Sequence, residues 1–412
     1  MKLDRTNIYL ILLLLIVLTL PITYNLNSLS VILLSMFFFI DSKENLYKKY
    51  EILRKHKVFW AMTLYFFIQV FGLIYTENLK EGLKEVQALI PFLVLPMVIL
   101  SEKISSTQRK KILLIFKYWI LLLLLFLSVY HYFYLGRPIS SFANFGFTIL
   151  EISPFYFSGF IYLAIITIVF ELKRKSFKSI YLYIELGTFL AFITLLGMRI
   201  FIIIILVALV LFVLKTLKNL AIKKKIAILI SIPLLLMLLF LITPSMGNKI
   251  KRFSRTIDFD LETIITKNKI TYGRNTIEYR ILKAYASFNI IKENLVLGVG
   301  TGDQLDLLYK EYEKLGFKAG IKEKYNSHNQ YLTEGLKTGV LGSAIFCFML
   351  FVILKKGIQQ NDELLYFSTF IIIICLIESF LSRQHGIIFT AFFVAILFNH
   401  NENGKLLNSK NA

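Results

Sequence analysis

The sequence contains little cysteine and few acidic residues, and both shortages exclude classes of protein. Its two cysteines, Cys347 and Cys375, lie inside apolar runs, which excludes a disulfide framework and a cysteine-based metal site. Asp and Glu number 26 against 47 Lys and Arg, so the formal net charge is +21. Such a charge is compatible with nucleic-acid binding. However, most of these basic residues lie in short connectors between apolar runs, which is the distribution typical of membrane topology.

Apolar residues, in contrast, are abundant and form unbroken runs. They make up 57% of the 412 residues, above the roughly 45–50% of a soluble domain. Many runs have about the length needed to cross a bilayer core, which takes roughly 20 residues with some slack. The sequence therefore predicts an all-α integral membrane protein with about twelve transmembrane helices. The predicted spans are 8–23, 27–41, 58–76, 87–101, 113–135, 153–171, 180–197, 200–214, 226–243, 332–354, 364–381 and 386–399.

The positions of the basic residues predict the topology. If the N-terminus is cytoplasmic, every strongly basic connector falls on the cytoplasmic side, as the positive-inside rule requires, and both termini lie inside. Four regions follow: an N-terminal bundle of about nine spans (1–243), a large outer loop (244–331), about three C-terminal spans (332–399) and a cytoplasmic tail (400–412). A loop of this length is usually functional. Within it, the apolar spacing predicts helices over 277–294 and 305–315, with a glycine-rich turn over 299–303.

Two side chains near the predicted outer surface are candidates for chemistry. Arg199 lies in a very short connector at the outer end of two spans. An arginine at membrane depth is costly and tends to mark a partner or ligand, although it can also extend its guanidinium to the headgroups. His328 precedes the tenth span, and a histidine can accept a proton from a sugar hydroxyl as general base. A lone histidine, however, is more often structural.

Other loop residues suggest ligand contacts of weaker specificity. Gly298, Gly300 and Gly302 could cradle a phosphate if they led from a strand into a helix, but they follow a predicted helix, and a turn needing positive φ is the alternative. Arg274 is a reserve phosphate ligand. The pair Asp258 and Asp260 could bind a divalent ion, yet isolated carboxylate pairs are common in solvated loops. We expect no metal and no cofactor.

The order of several short motifs resembles the signature of the O-antigen ligase and polymerase superfamily. The motifs are Arg280, Ile291-Lys292-Glu293-Asn294, Gly298-Val299-Gly300-Thr301-Gly302-Asp303, His328-Asn329-Gln330-Tyr331-Leu332, Gly339-Val340-Leu341-Gly342, and Glu378-Ser379-Phe380 with Arg383-Gln384. The span count and the position of the large loop agree with this resemblance. Two departures are the absence of tryptophan in the stretch 281–284 and Leu295 at a usual proline; both concern packing more than chemistry.

The resemblance implies an enzyme that transfers a glycan from undecaprenyl diphosphate to an acceptor, such as lipid A–core, at the periplasmic face of the inner membrane. No nucleotide sugar would be needed. It further implies that Arg199 and Arg280 hold the diphosphate and that His328 assists the acceptor hydroxyl. The additional substrate-binding candidates are Arg274, Asn329, Gly298, Gly300, Gly302 and Arg383. A donor glycolipid, an acceptor and membrane lipids are the expected partners.

Several functions remain open at this point. A repeat-unit polymerase would use the same chemistry with a growing glycan as acceptor, and a protein O-oligosaccharyltransferase would use it with a protein. A transporter of lipid-linked glycans belongs to a different class. Transporters usually show internal repeats and charges buried in the spans. This sequence has no repeat, and its polar residues concentrate on one loop, which favours the enzyme.

Overall fold

The computed structural model describes residues 4–150, 152–175, 178–215, 221–242, 259–270 and 276–399. Within these ranges the chain is helical and contains no β-strand, which confirms the all-α prediction. Arg274, Asp258 and the tail from residue 400 lie outside the described residues, so the predictions made for them stay predictions.

Helices account for each apolar run found in the sequence. Those before the large loop are α1 (Arg5–Thr19), α2 (Tyr24–Phe39), α3 (Lys43–Arg54), α4 (Lys57–Phe71), α5 (Leu79–Ser101), α6 (Ser106–Val129), α7 (Phe142–Phe145), α8 (Pro154–Arg174), α9 (Ile180–Leu196), α10 (Arg199–Lys215) and α11 (Ile222–Ile242). Those of the loop and beyond are α12 (Leu261–Ile270), α13 (Thr276–Glu293), α14 (Gln304–Lys314), α15 (Lys318–Lys322), α16 (Gln330–Gln360), α17 (Asp362–Cys375) and α18 (Gln384–Asn399). A π-helical turn, Tyr130–Tyr134, extends α6.

Four of the described helices are long and apolar enough to cross a membrane: α5, α6 with its π-helical turn, α8 and α16. A fifth span results if α2 and α3, which meet at 112°, are taken as one broken span. Further apolar helices, among them α1, α4, α9 and α18, are shorter. Because a straight crossing needs about 20 residues, helix length does not confirm the prediction of about twelve spans. The apolar runs were located correctly, but several of their helices are shorter than a full crossing.

The C-terminal helices lie inside the bundle. The last helix, α18, packs against α5, and α16 packs against α4 and α17. From His385 to Asn399, every residue of α18 is buried. A helix that is apolar on all sides is expected in such a central position, because it has no polar face to present to water. The connector between α17 and α18 is therefore held from several directions, and it contributes to the candidate site.

The loop helices have a small core of their own. The apolar faces of α12, α13 and α14 meet around Leu282, Leu308, Tyr312 and Phe317, each at most 1% exposed. Helices α13 and α14 begin and end within one residue of the predicted ranges 277–294 and 305–315, which confirms both predictions. Helix α13 also packs against α16.

Candidate functional site

The glycine-rich segment 298–303 forms the predicted turn, and its backbone groups are bonded within the protein. The N–H groups of Gly298, Gly300 and Gly302 donate to Asn294 O, Lys337 O and Thr76 Oγ1, at 2.9, 3.0 and 3.2 Å. The φ angles of Gly298 and Gly300 are +70° and +103°, values that favour glycine. Because each of these N–H groups already has an acceptor, the segment has a clear packing role. The predicted substrate contact of the three glycines stays a prediction.

Asp303 closes this turn onto the α4–α5 connector. Its two carboxylate oxygens accept the N–H groups of Glu77 and Asn78 at 2.8 and 2.7 Å. A carboxylate that accepts two backbone N–H groups forms strong, charge-assisted bonds. The acidic residue at the end of the glycine-rich motif therefore fastens the loop to the membrane bundle, a function that the sequence did not reveal.

His328 pairs with a glutamate from the other side of the site. Its Nδ1 lies 2.8 Å from Oε2 of Glu378, which follows α17. The backbone of His328 has a φ of +48°, a left-handed conformation that is uncommon outside glycine and tends to mark functional positions when it is found. The His328 N–H donates to Asn326 Oδ1 at 3.0 Å, and the ring meets that of Tyr325 edge-on at 5.6 Å. The imidazole is thus held through Nδ1, and none of the described residues bonds to its Nε2.

Hydrogen bonds fasten this segment to the α17–α18 connector. Asn329 caps α16 by accepting the N–H of Leu332 at 3.1 Å, and its Nδ2 donates to Leu376 O at 3.0 Å. The hydroxyls of Ser327, Thr333 and Ser379 form a buried group that joins the same two elements. In the structure Asn329 therefore positions His328's segment; its predicted substrate contact stays a prediction.

Arg280 reaches the same connector from α13. Its Nη1 donates to Ile377 O at 2.6 Å, one residue before Glu378. The surroundings desolvate the guanidinium and lower the pKa of Arg280, while Glu378 counteracts the change; a guanidinium nevertheless remains charged near neutrality. Within the described part of the chain Arg280 forms no salt bridge. Among the described residues Ile377 O is the acceptor of its side-chain hydrogen bond, and the other N–H donors can contact a ligand.

Arg280, His328 and Glu378 form a cluster with two further residues, Lys283 and Tyr325, that the sequence did not indicate. Lys283 lies one turn after Arg280, is 5% exposed, and places its Nζ 4.6 Å from the centroid of the Tyr325 ring. Burial, followed by the charge of Arg280, lowers the pKa of Lys283 to about 7, against the opposing effect of Glu378. A lysine on an amphipathic helix normally predicts a solvated side chain, so nothing in the sequence distinguished this one.

Arg199 begins α10 and remains exposed. Aromatic packing brings this end of α10 towards the α17–α18 connector: the Phe155 ring lies 5.7 Å from Phe201 and 6.4 Å from Phe380, each two residues beyond Arg199 and Glu378 respectively. The structure thus places the start of α10 in the neighbourhood of the cluster. The predicted convergence of the Arg199 side chain with Arg280 and His328 stays a prediction.

Arg383 lies on the connector itself and is exposed. Both Arg383 and Glu378 are close enough to Tyr156, at the start of α8, to act on its hydroxyl electrostatically. The Tyr156 ring stacks on that of Phe380 at 5.1 Å. The cluster, defined as Arg280, Lys283, Tyr325, His328 and Glu378, therefore continues towards Arg383.

Asp260, a candidate metal ligand, is bonded to a neighbouring residue of the chain. Oδ2 of Asp260 accepts the backbone N–H of Thr263 at 2.9 Å and its hydroxyl at 2.6 Å, which is how an aspartate caps a helix. These bonds to Thr263 lower the pKa of Asp260. In the ranges that the structure covers, no three His, Cys, Asp or Glu residues are grouped so that they could hold a metal ion.

Comparison with known proteins agrees with this picture. No curated protein matches the chain. The family model described as O-antigen ligase matches residues 186–347, a range that begins within α9 and includes Arg199, Arg280 and His328 but ends before Glu378. The match covers the whole large loop and the start of α16, which together carry most of the cluster. Over residues 186–347 the chain is similar to the O-antigen ligase family, which confirms the resemblance seen in the sequence.

Proposed function

We propose that the protein transfers a glycan from undecaprenyl diphosphate to an acceptor, such as lipid A–core, at the periplasmic face of the inner membrane. The observation that carries the proposal is the composition of the cluster. His328 is held by Glu378, and Arg280 meets the same connector. One carboxylate thus faces several basic groups, and an excess of positive charge suits a diphosphate.

In this proposal each basic residue has its own task. Arg280 binds phosphate oxygens with the guanidinium donors that Ile377 O leaves free, and Arg199 contributes from the start of α10. Planar guanidinium groups bind phosphate at two points and stay charged at neutral pH. They therefore stabilise the charge that develops on the leaving group without requiring a metal ion. Arg383, on the α17–α18 connector, is a further residue that can contact the diphosphate.

His328 receives the acceptor's proton. The bond between the anomeric carbon and the diphosphate oxygen breaks, and its electron pair leaves with the diphosphate. The acceptor oxygen forms the new bond to the anomeric carbon, and its proton passes to Nε2 of His328. Glu378 holds Nδ1–H and stabilises the imidazolium that results. The 2.8 Å pairing supports this assignment because it fixes the tautomer that the step needs.

The test is transfer by purified protein with lipid-linked donor and acceptor. His328→Ala should lower the transfer rate by about 10²–10⁴-fold and still bind the donor, because the arginines and not the imidazole hold the diphosphate. Wild-type transfer by His328→Ala would refute the base assignment. Comparing a lipid A–core acceptor with a second donor glycan distinguishes ligase from repeat-unit polymerase, and a protein acceptor tests for an O-oligosaccharyltransferase.

A transporter of lipid-linked glycans is the alternative from another class. A transporter would move the glycolipid across the membrane of proteoliposomes, and it would transfer no glycan to any acceptor. The topology provides a separate check: reporter fusions at Lys224 and Gly316 should lie on opposite sides of the membrane, with Gly316 in the periplasm. Both fusions on one side would contradict the proposed placement of the site.

A further inference from the structure

Lys283 differs from the other buried lysines of the described chain. Lys49, Lys117 and Lys337 are all at most 6% exposed, and each forms a salt bridge: with Asp41 and Glu102, with Glu171 and Glu185, and with Glu85. Lys283 is as deeply buried, yet within the described residues no carboxylate lies within salt-bridge distance of its Nζ. The aromatic ring of Tyr325 is its partner. A buried ammonium without a counter-ion is costly, so its retention calls for an explanation.

The surroundings of Lys283 point to an anion. On its own helix it faces Arg280, on the α17–α18 connector it is influenced by Glu378, and the segment before α16 contributes Tyr325 and His328. Glu378 is already bonded to His328 at 2.8 Å, so its charge is shared. Arg280 and Lys283 are separated by one helical turn, a spacing that presents both side chains on one face.

We propose that Lys283 is a ligand of the donor's diphosphate, which supplies the missing counter-ion and binds beside Arg280. This proposal rests on the glycan-transfer function and adds a residue to the donor site. The Tyr325 ring would hold the lysine stem and orient the ammonium, since a cation over an aromatic face is attracted to it. When the donor binds, oxygens of its diphosphate contact the ammonium of Lys283, either in place of the Tyr325 ring or together with it.

Proton uptake follows from this arrangement. In the structure the pKa of Lys283 is about 7, so the amine is largely neutral above that pH. A bound diphosphate favours the ammonium and raises the pKa. At a pH between the pKa values of the free and the donor-bound protein, donor binding is accompanied by the uptake of one proton. In this range the donor affinity falls by up to about tenfold for each unit by which the pH rises. Below pH 7 Lys283 is protonated in both states and contributes no pH dependence.

Donor binding can be measured with undecaprenyl-diphosphate-linked glycan and purified protein in phosphatidylcholine nanodiscs, from about pH 6 to about pH 9. This diphosphate is esterified at both ends, so its own charge stays constant over the range. Lys283→Met should weaken binding by roughly 10- to 100-fold near pH 6, the range for one charge-assisted hydrogen bond. Lys283→Arg should bind the donor without the decline above pH 7, since a guanidinium does not deprotonate there.

Lys310→Met is the matched control, because Lys310 is an exposed lysine of the same loop and should leave binding unchanged. Inorganic diphosphate should compete with the donor. Phosphatidylglycerol added to the nanodiscs should not weaken donor binding. Competition by phosphatidylglycerol would reassign Lys283 to a lipid headgroup and overturn the proposal.

The outcomes separate this inference from the proposed function. If the donor affinity of the wild type does not change with pH, the inference is overturned. It is also overturned if Lys283→Met binds the donor within about twofold of the wild-type affinity. If wild-type protein transfers glycan in either case, the proposed function stands. If Lys283 behaves as expected but wild type transfers to no acceptor, the donor site stands and the transfer reaction is wrong.

Discussion

Removing the carboxylate of Glu378 tests whether it acts through His328. The pair is joined at 2.8 Å, with side-chain exposures of 27% for His328 and 18% for Glu378. Partners that orient a metal-binding histidine contribute about 10–100-fold, and we take this range for the orientation of His328. Partial exposure favours the lower half of the range because solvent screens the charge. We therefore expect Glu378→Ala to lower kcat by about 10- to 30-fold.

The effect on donor binding should be different. The charge of Glu378 counteracts the lowering of the pKa that burial imposes on Arg280 and on Lys283. Its removal leaves the cluster more positive, so the donor KM should stay constant or fall. A loss of kcat without a rise in KM indicates a role in the chemical step.

A double-mutant cycle gives the sharpest measurement. If Glu378 acts only through His328, Glu378→Ala should cost less than about twofold in a His328→Ala background, because the interaction is already lost. Independent roles would instead multiply the two losses. Glu313→Gln, an exposed glutamate in the same loop, serves as the control in both backgrounds. Multiplied losses, or a higher donor KM with unchanged kcat, would refute the proposed pairing.

Three further predictions concern neighbouring features. Arg280→Lys should lower kcat/KM by at least about tenfold, since an ammonium cannot make the planar two-point contact; wild-type activity would show that charge alone suffices. Asp303→Ala should lower the free energy of unfolding in detergent by about 1–3 kcal/mol, because two backbone N–H groups lose their charged acceptor, whereas Glu313→Ala, at an exposed glutamate of the same loop, should change it by less than about 0.5 kcal/mol. Transfer should persist in EDTA, because Asp260 caps α12; a loss restored by magnesium would instead make Asp260 a ligand.

The sequence by itself determined the local features. Unbroken apolar runs located the helices, because the helical period and the low polarity are properties of neighbouring residues. The apolar spacing of Ile281, Tyr285 and Phe288 was sufficient to predict α13. The glycine-rich stretch predicted a turn over 299–303, and the positive φ angles of Gly298 and Gly300 agree with the alternative of a turn that needs positive φ. Arg280 and His328 were identified as site candidates from the resemblance, and the family match at 186–347 confirms that resemblance.

Only the tertiary structure decided which of these residues meet. Glu378 is 50 residues from His328 along the chain, and no local pattern shows that the two side chains form a pair. The position of Lys283 in the sequence does not distinguish it from a lysine on the surface of a helix. Its burial depends on Tyr325 and on the connector after α17. In the sequence Asp303 was only the last residue of a motif that carries the family resemblance, and its two bonds to the α4–α5 connector are seen only in the structure. Side-chain partners and desolvation are set by distant segments, and for this reason the composition of the site could not be read from the sequence.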